Sequence, residues 1–147
     1  MIFQLKIVLI GLIFSILAGC SGEIEINNEQ AFQEVKQVLE DNLKYLEAKD
    51  LEGYLNTLVE SSRDDTSQEA EHFFQDFDIS YELVNTELVK EKEDTIVLEA
   101  EQMARVIFTD GDEAFRNHIT WNSHTFKKED GEWKIAASRI LDILFID

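Results

Sequence analysis

The hydrophobic period of this chain changes once, from 3.6 residues to 2, at Ile79, and that switch constrains the fold more than any other feature. Ahead of it, Phe32, Val35, Val38, Leu39, Leu43 and Leu46 recur at three–four spacing, with Gln33, Glu34, Gln37, Glu40 and Asp41 filling the other face. This predicts a long amphipathic helix. Asp50 offers an N-cap to a second, short helix whose inner face is Leu51, Tyr54, Leu55 and Leu58. Residues 61–65 read as a break, and Thr66 with Glu69 three positions on fits a capping box opening a third helix through Phe73, Phe74 and Phe77.

Beyond the switch, alternation predicts four strands. The first covers residues 79–90 and the second 95–109, with Ile96, Leu98, Ala100, Ala104, Val106 and Phe108 on one face. Asp110-Gly111-Asp112 reads as a hairpin turn, residues 115–126 as the third strand, and Glu129-Asp130-Gly131 as a further turn. The fourth strand, residues 133–145, places Trp133, Ile135, Ala137, Leu141, Ile143 and Phe145 on one face. A chain of 147 residues without proline suits one domain with an uninterrupted meander. Helices first and an antiparallel four-stranded sheet afterwards make an α+β class.

The N-terminus carries a different signal. Lys6 precedes an apolar run, Ile7 to Ala18, followed by Gly19-Cys20, which is the layout of an export signal. Twelve residues at a helical rise span roughly 18 Å, short of a hydrocarbon core of about 30 Å, so a cleaved signal fits better than a permanent span. Leu17-Ala18-Gly19-Cys20 resembles the bacterial lipobox, which implies a diacylglycerol on the Cys20 thiol and cleavage just before it. The expected organisation is a signal peptide at 1–19, a lipidated Cys20 with a polar tether to residue 28, and one domain at 29–147. The implied location is the extracytoplasmic face of a bacterial cell membrane.

Charge narrows the partners. With 13 Lys+Arg against 31 Asp+Glu the formal net charge is −18, which argues against nucleic-acid backbone binding and against electrostatic help from anionic lipid headgroups. A single cysteine excludes an internal disulfide and multi-cysteine metal sites. His118 and His124 share a strand face but lie about 20 Å apart at strand rise, too far to ligate one metal. Glu69 and His72 form only half of a carboxylate-bridged site, and residues 110–113 lack the ligand count of a calcium loop. No phosphate loop, nucleophile elbow or zinc-protease motif occurs, so no metal, cofactor or catalytic set is assigned. Arg139 breaks the apolar phase of the fourth strand. Strict alternation would turn it inward to meet a carboxylate of the protein or of a ligand, whereas a β-bulge would turn it outward.

The segment Ala48-Lys49-Asp50-Leu51, the segment Asp130-Gly131-Glu132-Trp133-Lys134-Ile135 and the order of elements together resemble the nuclear transport factor 2-like superfamily, also called ketosteroid isomerase-like or SnoaL-like, over residues 30–146. The resemblance implies a curved sheet wrapped over helices into a cone. Its members include isomerases, dehydratases and binding modules, and dimerisation through the sheet is common among them. Tyr45 is a loose positional match to the family's proton donor. The expectation is therefore a binding module rather than an enzyme, with Arg139, Tyr45, Tyr54 and Trp121 as candidate ligand contacts and a small molecule, a partner protein or a second copy as partner. The alternative is an isomerase- or dehydratase-type enzyme using the cone.

Overall fold

The computed structural model describes residues 23–109 and 115–147. Three helices come first: α1 Glu23–Ala48, α2 Leu51–Asn56 and α3 Glu60–Asp76. Four strands follow: β1 Phe77–Lys92, β2 Thr95–Thr109, β3 His118–Glu129 and β4 Glu132–Phe145. They pair antiparallel in the order β1-β2-β3-β4. This is the α+β meander that the change of period predicts. Among the described residues, no helix is long and apolar enough to cross a membrane. The lipobox and the turn at 110–112 lie outside the described residues.

The core forms where the apolar stripe of α1 crosses the concave face of the sheet. Val35 and Leu39 from α1 meet Leu58, Ile96, Leu98, Ala100, Phe126, Trp133 and Ile135, and Val35, Leu39, Leu98 and Phe126 have no solvent exposure. Full burial of side chains this size contributes about 1.5–3 kcal/mol each, so this contact is the main apolar attachment of helix to sheet. The Asp50 cap is present: its Oδ1 accepts from the Gly53 amide at 2.9 Å, satisfying one of the open donors at the start of α2. After α2, Leu58 forms a parallel bridge to Ile135, with the Ile135 amide donating to the Thr57 carbonyl at 2.8 Å and the Val59 amide to the Ile135 carbonyl at 3.0 Å. That bridge covers the first half of the β4 edge.

Three boundaries differ from the sequence expectation. Glu23 onward is helical, so residues 23–28 continue α1 instead of forming a tether. α3 begins at Glu60, six residues before Thr66, with Val59 as a cap that makes no side-chain bond. One tertiary acceptor stands in for the missing cap, and a local bond braces the turn before it. The Glu60 amide donates to Glu129 Oε2 at 3.0 Å, and Arg63 donates twice to the Leu58 carbonyl at 3.2 Å. Phe77 lies in β1, not on α3, because the helix passes directly into the strand.

Register shifts curve the sheet. One residue is left unpaired at Val84 and Val89 in β1, Ile107 in β2, and Ala136 and Leu141 in β4. Each such bulge reverses which parity of the strand faces inward. On β4 the inward set is therefore Ile135, Ser138, Ile140, Ile143 and Phe145, paired with Phe126, His124, Asn122, Thr120 and His118. Ala137 and Arg139 fall between the two bulges and point outward, opposite Thr125 and Ser123. Strict alternation therefore fails at Arg139, and its pairing with outward-phase Ser123 between the two bulges shows the bulge alternative to be the right one.

Candidate functional site

Inside the cone, the even-numbered residues of β3 present a row of polar groups where the alternation would allow apolar ones. Thr120, Asn122 and His124 are buried on the concave face, ahead of fully buried Phe126. Gln102 stands opposite Thr120 on β2, and Ser138 stands opposite His124 on β4. Asn122 Nδ2 donates to Gln102 Oε1 and to Thr120 Oγ1, both at 2.8 Å. With its oxygen so engaged, Gln102 Nε2 faces His124 Nε2 at 3.0 Å as a donor. His124 Nδ1 then carries the proton and donates to Ser138 Oγ at 2.7 Å. Burial pushes the His124 pKa down to about 4, so the ring is neutral near pH 7. Both ring nitrogens are spent on neighbours, and no carboxylate takes part in the network. The row is fixed and uncharged, poorly suited to moving protons.

A second group lies beside the row. Tyr54 of α2 and Tyr81 of β1 have phenols kept protonated: burial raises both, with Glu69 adding to the effect on Tyr54, and Tyr54 and Glu47 adding to that on Tyr81, which reaches about 12. Glu47 also accepts the Tyr81 amide at 3.0 Å. Toward the far end of the sheet an unbroken chain of aromatic contacts runs from Phe73 through Phe77, Phe115 and His118 to Phe145, with ring centroids 5.2 to 6.2 Å apart. It ties the end of α3 to the end of β4.

The four candidate contacts named from sequence do not converge. Arg139 is outside the cone. Trp121 is exposed on the same outer face, opposite Asp142 and Glu101. Tyr45 lines a groove on the far side of α1, and only Tyr54 belongs to the interior group. The sequence reading missed Gln102, Thr120, Asn122 and Ser138. The signal for the first three was present as polar residues in the inward phase of otherwise buried strands. Ser138 was hidden by the Ala136 bulge. Among the described residues, no three His, Cys, Asp or Glu side chains come close enough to hold a metal ion.

Comparison with known proteins places this architecture. The chain is similar to a candidate scytalone dehydratase from Novosphingobium aromaticivorans, with TM-score 0.67 and 16% identity over 84% of this chain and 92% of that one. A protein of unknown function from Mycobacterium tuberculosis superposes with TM-score 0.69 at 13% identity, covering 83% and 76% of the two chains. A nuclear transport factor 2-like protein of unknown function from Pseudomonas putida does so with TM-score 0.62 at 11% identity, over 76% and 86%. At these identities the likeness establishes the nuclear transport factor 2-like fold alone. No curated protein matches the sequence. The family model described as "Anti-sigma-I factor RsgI9, C-terminal domain" matches residues 37–146, which take in the C-terminal part of α1 and every later element. The chain belongs to that family.

Proposed function

We propose that this chain is a lipid-anchored extracytoplasmic binding module, tethered by acyl groups on Cys20 and offering its cone to a small molecule or partner protein. The observation that carries the binding reading is the polar row Gln102–Thr120–Asn122–His124–Ser138, set around a neutral histidine on the concave face where alternation would allow apolar side chains, with no carboxylate in it to act as a base. A family described by the C-terminal domain of an anti-sigma factor supports binding over turnover. Anchoring rests on the Leu17-Ala18-Gly19-Cys20 pattern after its apolar run.

In a bacterial host grown with labelled palmitate, the full chain is expected to take up label and sediment with membranes. Cys20→Ser should abolish the label and hold back the uncleaved precursor. An unlabelled parent, or a labelled Cys20→Ser variant, refutes the anchor. Native mass spectrometry of the detergent-released parent tests the binding module: a reproducible bound species supports it, and a bare chain counts against it.

A homodimer through the sheet fits the same picture. Ile140, Ile143 and Phe145 are large apolar side chains on the inward face of β4, left exposed on the half of the strand that no helix covers. Sedimentation velocity is expected to return a dimer, and a dominant monomer at micromolar concentration rejects it. A second reading, an isomerase- or dehydratase-type enzyme, is favoured by the protonated Tyr54 phenol near Glu69 and the protonated Tyr81 phenol near Glu47, each of which pairs a proton donor with a carboxylate.

A further inference from the structure

A groove of about 510 Å³ runs along the outer side of α1, bounded by α2 and the β3–β4 hairpin. Glu34, Asp41, Tyr45, Glu132, Trp133 and Lys134 are among its walls. Three carboxylates thus face one ammonium, and that ammonium is already engaged: Lys134 Nζ donates to Glu132 Oε2 at 2.7 Å and to the Asn56 carbonyl at 2.9 Å. Among the described residues, no cation pairs with Glu34 or Asp41. Glu34 accepts from Trp133 Nε1 at 3.1 Å, which locks the indole into the wall.

Tyr45 is held by a close approach of backbone. A Cβ at Gly53 would stand 2.6 Å from Tyr45 Cε1 and 2.8 Å from Asp50 Oδ2, so only glycine lets the phenol ring lie against α2. A second groove of about 410 Å³ shares Glu34 and Trp133 as its wall. There the protein supplies two cations of its own, Lys92 and Lys128, against Glu34, Glu91 and Glu93, with Lys128 Nζ 4.9 Å from the Trp133 ring centroid. The Glu91 Oε2 atom in that wall is buried and has no hydrogen-bond donor. A carboxylate oxygen removed from water without a donor is costly, and an incoming N–H would relieve it.

We propose that these two adjoining grooves form a binding site for a small linear polyamine, whose ammonium groups pair with Asp41, Glu34 and Glu91 and whose alkyl chain lies along Tyr45 and Trp133. The spacing suits an extended polycation: Glu34 and Asp41 are seven residues apart on α1, about 10 Å at helical rise, and lie on the same face. The excess of negative charge in the walls and over the whole chain favours a cation, and the aromatic walls favour one with methylene groups. The site is separate from the concave row and stands or falls independently of it.

Titration calorimetry of the full chain with spermidine at physiological salt is the test. One equivalent is expected to bind, with affinity lowered about tenfold or more in the Glu34→Gln/Asp41→Asn double variant. The glutamine retains an acceptor for Trp133 Nε1, and an unchanged unfolding midpoint verifies that the variant is folded. Glu87→Gln, an exposed charge on β1 away from the grooves, is expected to leave affinity unchanged. Absence of binding overturns the proposal. So does equal weakening by Glu87→Gln, or displacement by magnesium at the spermidine concentration, since either marks a diffuse charge effect.

Discussion

Phe126→Ala is expected to lower the unfolding free energy by about 3–5 kcal/mol, the largest loss of any single truncation in the sheet. Phe126 has no exposed surface and sits where three strands and two packing layers meet. It pairs with Ile96 on β2 and Ile135 on β4, and it shares a cluster with Val35 and Leu39 of α1 and Leu58 after α2. The Ala136 bulge lies beside its pairing with Ile135. Collapse into the vacated space would therefore have to shift a bulged strand and the Leu58–Ile135 bridge together, so the cavity persists and its cost adds to lost burial. Urea unfolding followed by far-ultraviolet circular dichroism measures it. A loss under 1.5 kcal/mol would mean that the helix layer relaxes onto the sheet and that the core is less tightly interlocked than its burial implies.

The second large effect is on pH dependence. Folded His124 takes up a proton only near pH 4, while the unfolded chain's histidine does so near 6.5. Between those values the unfolded state binds more protons, so stability is full above pH 6.5 and falls as the pH drops toward 4. The whole shift corresponds to roughly 3 kcal/mol. Acidification also relieves repulsion in a chain of net charge −18, which acts in the opposite direction. The comparison to make is therefore parent against His124→Gln. The glutamine lowers stability at every pH by disturbing the Gln102 and Ser138 bonds, but it cannot titrate. The parent's advantage over the variant should shrink steadily from pH 6.5 to 4.5. A constant difference across that range would place His124 in contact with water and dismiss the neutral, locked tautomer.

These two residues mark how far the sequence could be read. Phe126's neighbours Val35, Leu39, Leu58, Ile96 and Ile135 were legible, because apolar positions of helices and alternating strands follow from period alone. His124 was read as sharing a strand face with His118, but neither the direction of that face nor its partners were legible. Gln102, which reaches it from β2, becomes its neighbour only through a register that local propensity does not encode, and Ser138 only through the Ala136 bulge. The same bulge decided between the two placements that the sequence left open for Arg139 and turned it to the outer face. Trp121 was named without its parity being followed, and the even phase that buries Thr120, Asn122 and His124 sends Trp121 outward. Tyr45 was chosen for the cone and lines a groove on the other side of α1, because three–four spacing assigns a residue to a helix but not to one of two neighbouring surfaces.

What the sequence by itself determined was the order of elements, the Asp50 cap, the apolar stripe of α1 and the acidity of the body. All of these depend on residues within a few positions of one another, where periodicity, capping chemistry and spacing act directly. Only the tertiary structure decided where α3 starts, which way β4 faces past Ala136, how the polar row satisfies itself and where the acidic grooves lie. Each of those depends on partners far apart in the chain: Glu129 reaching the Glu60 amide, Phe126 setting the pairing of Ile135, Glu34 holding Trp133. A bulge costs one unpaired residue and is selected by the strand beside it and the helix above it, so its position is a property of the packed sheet and not of the strand.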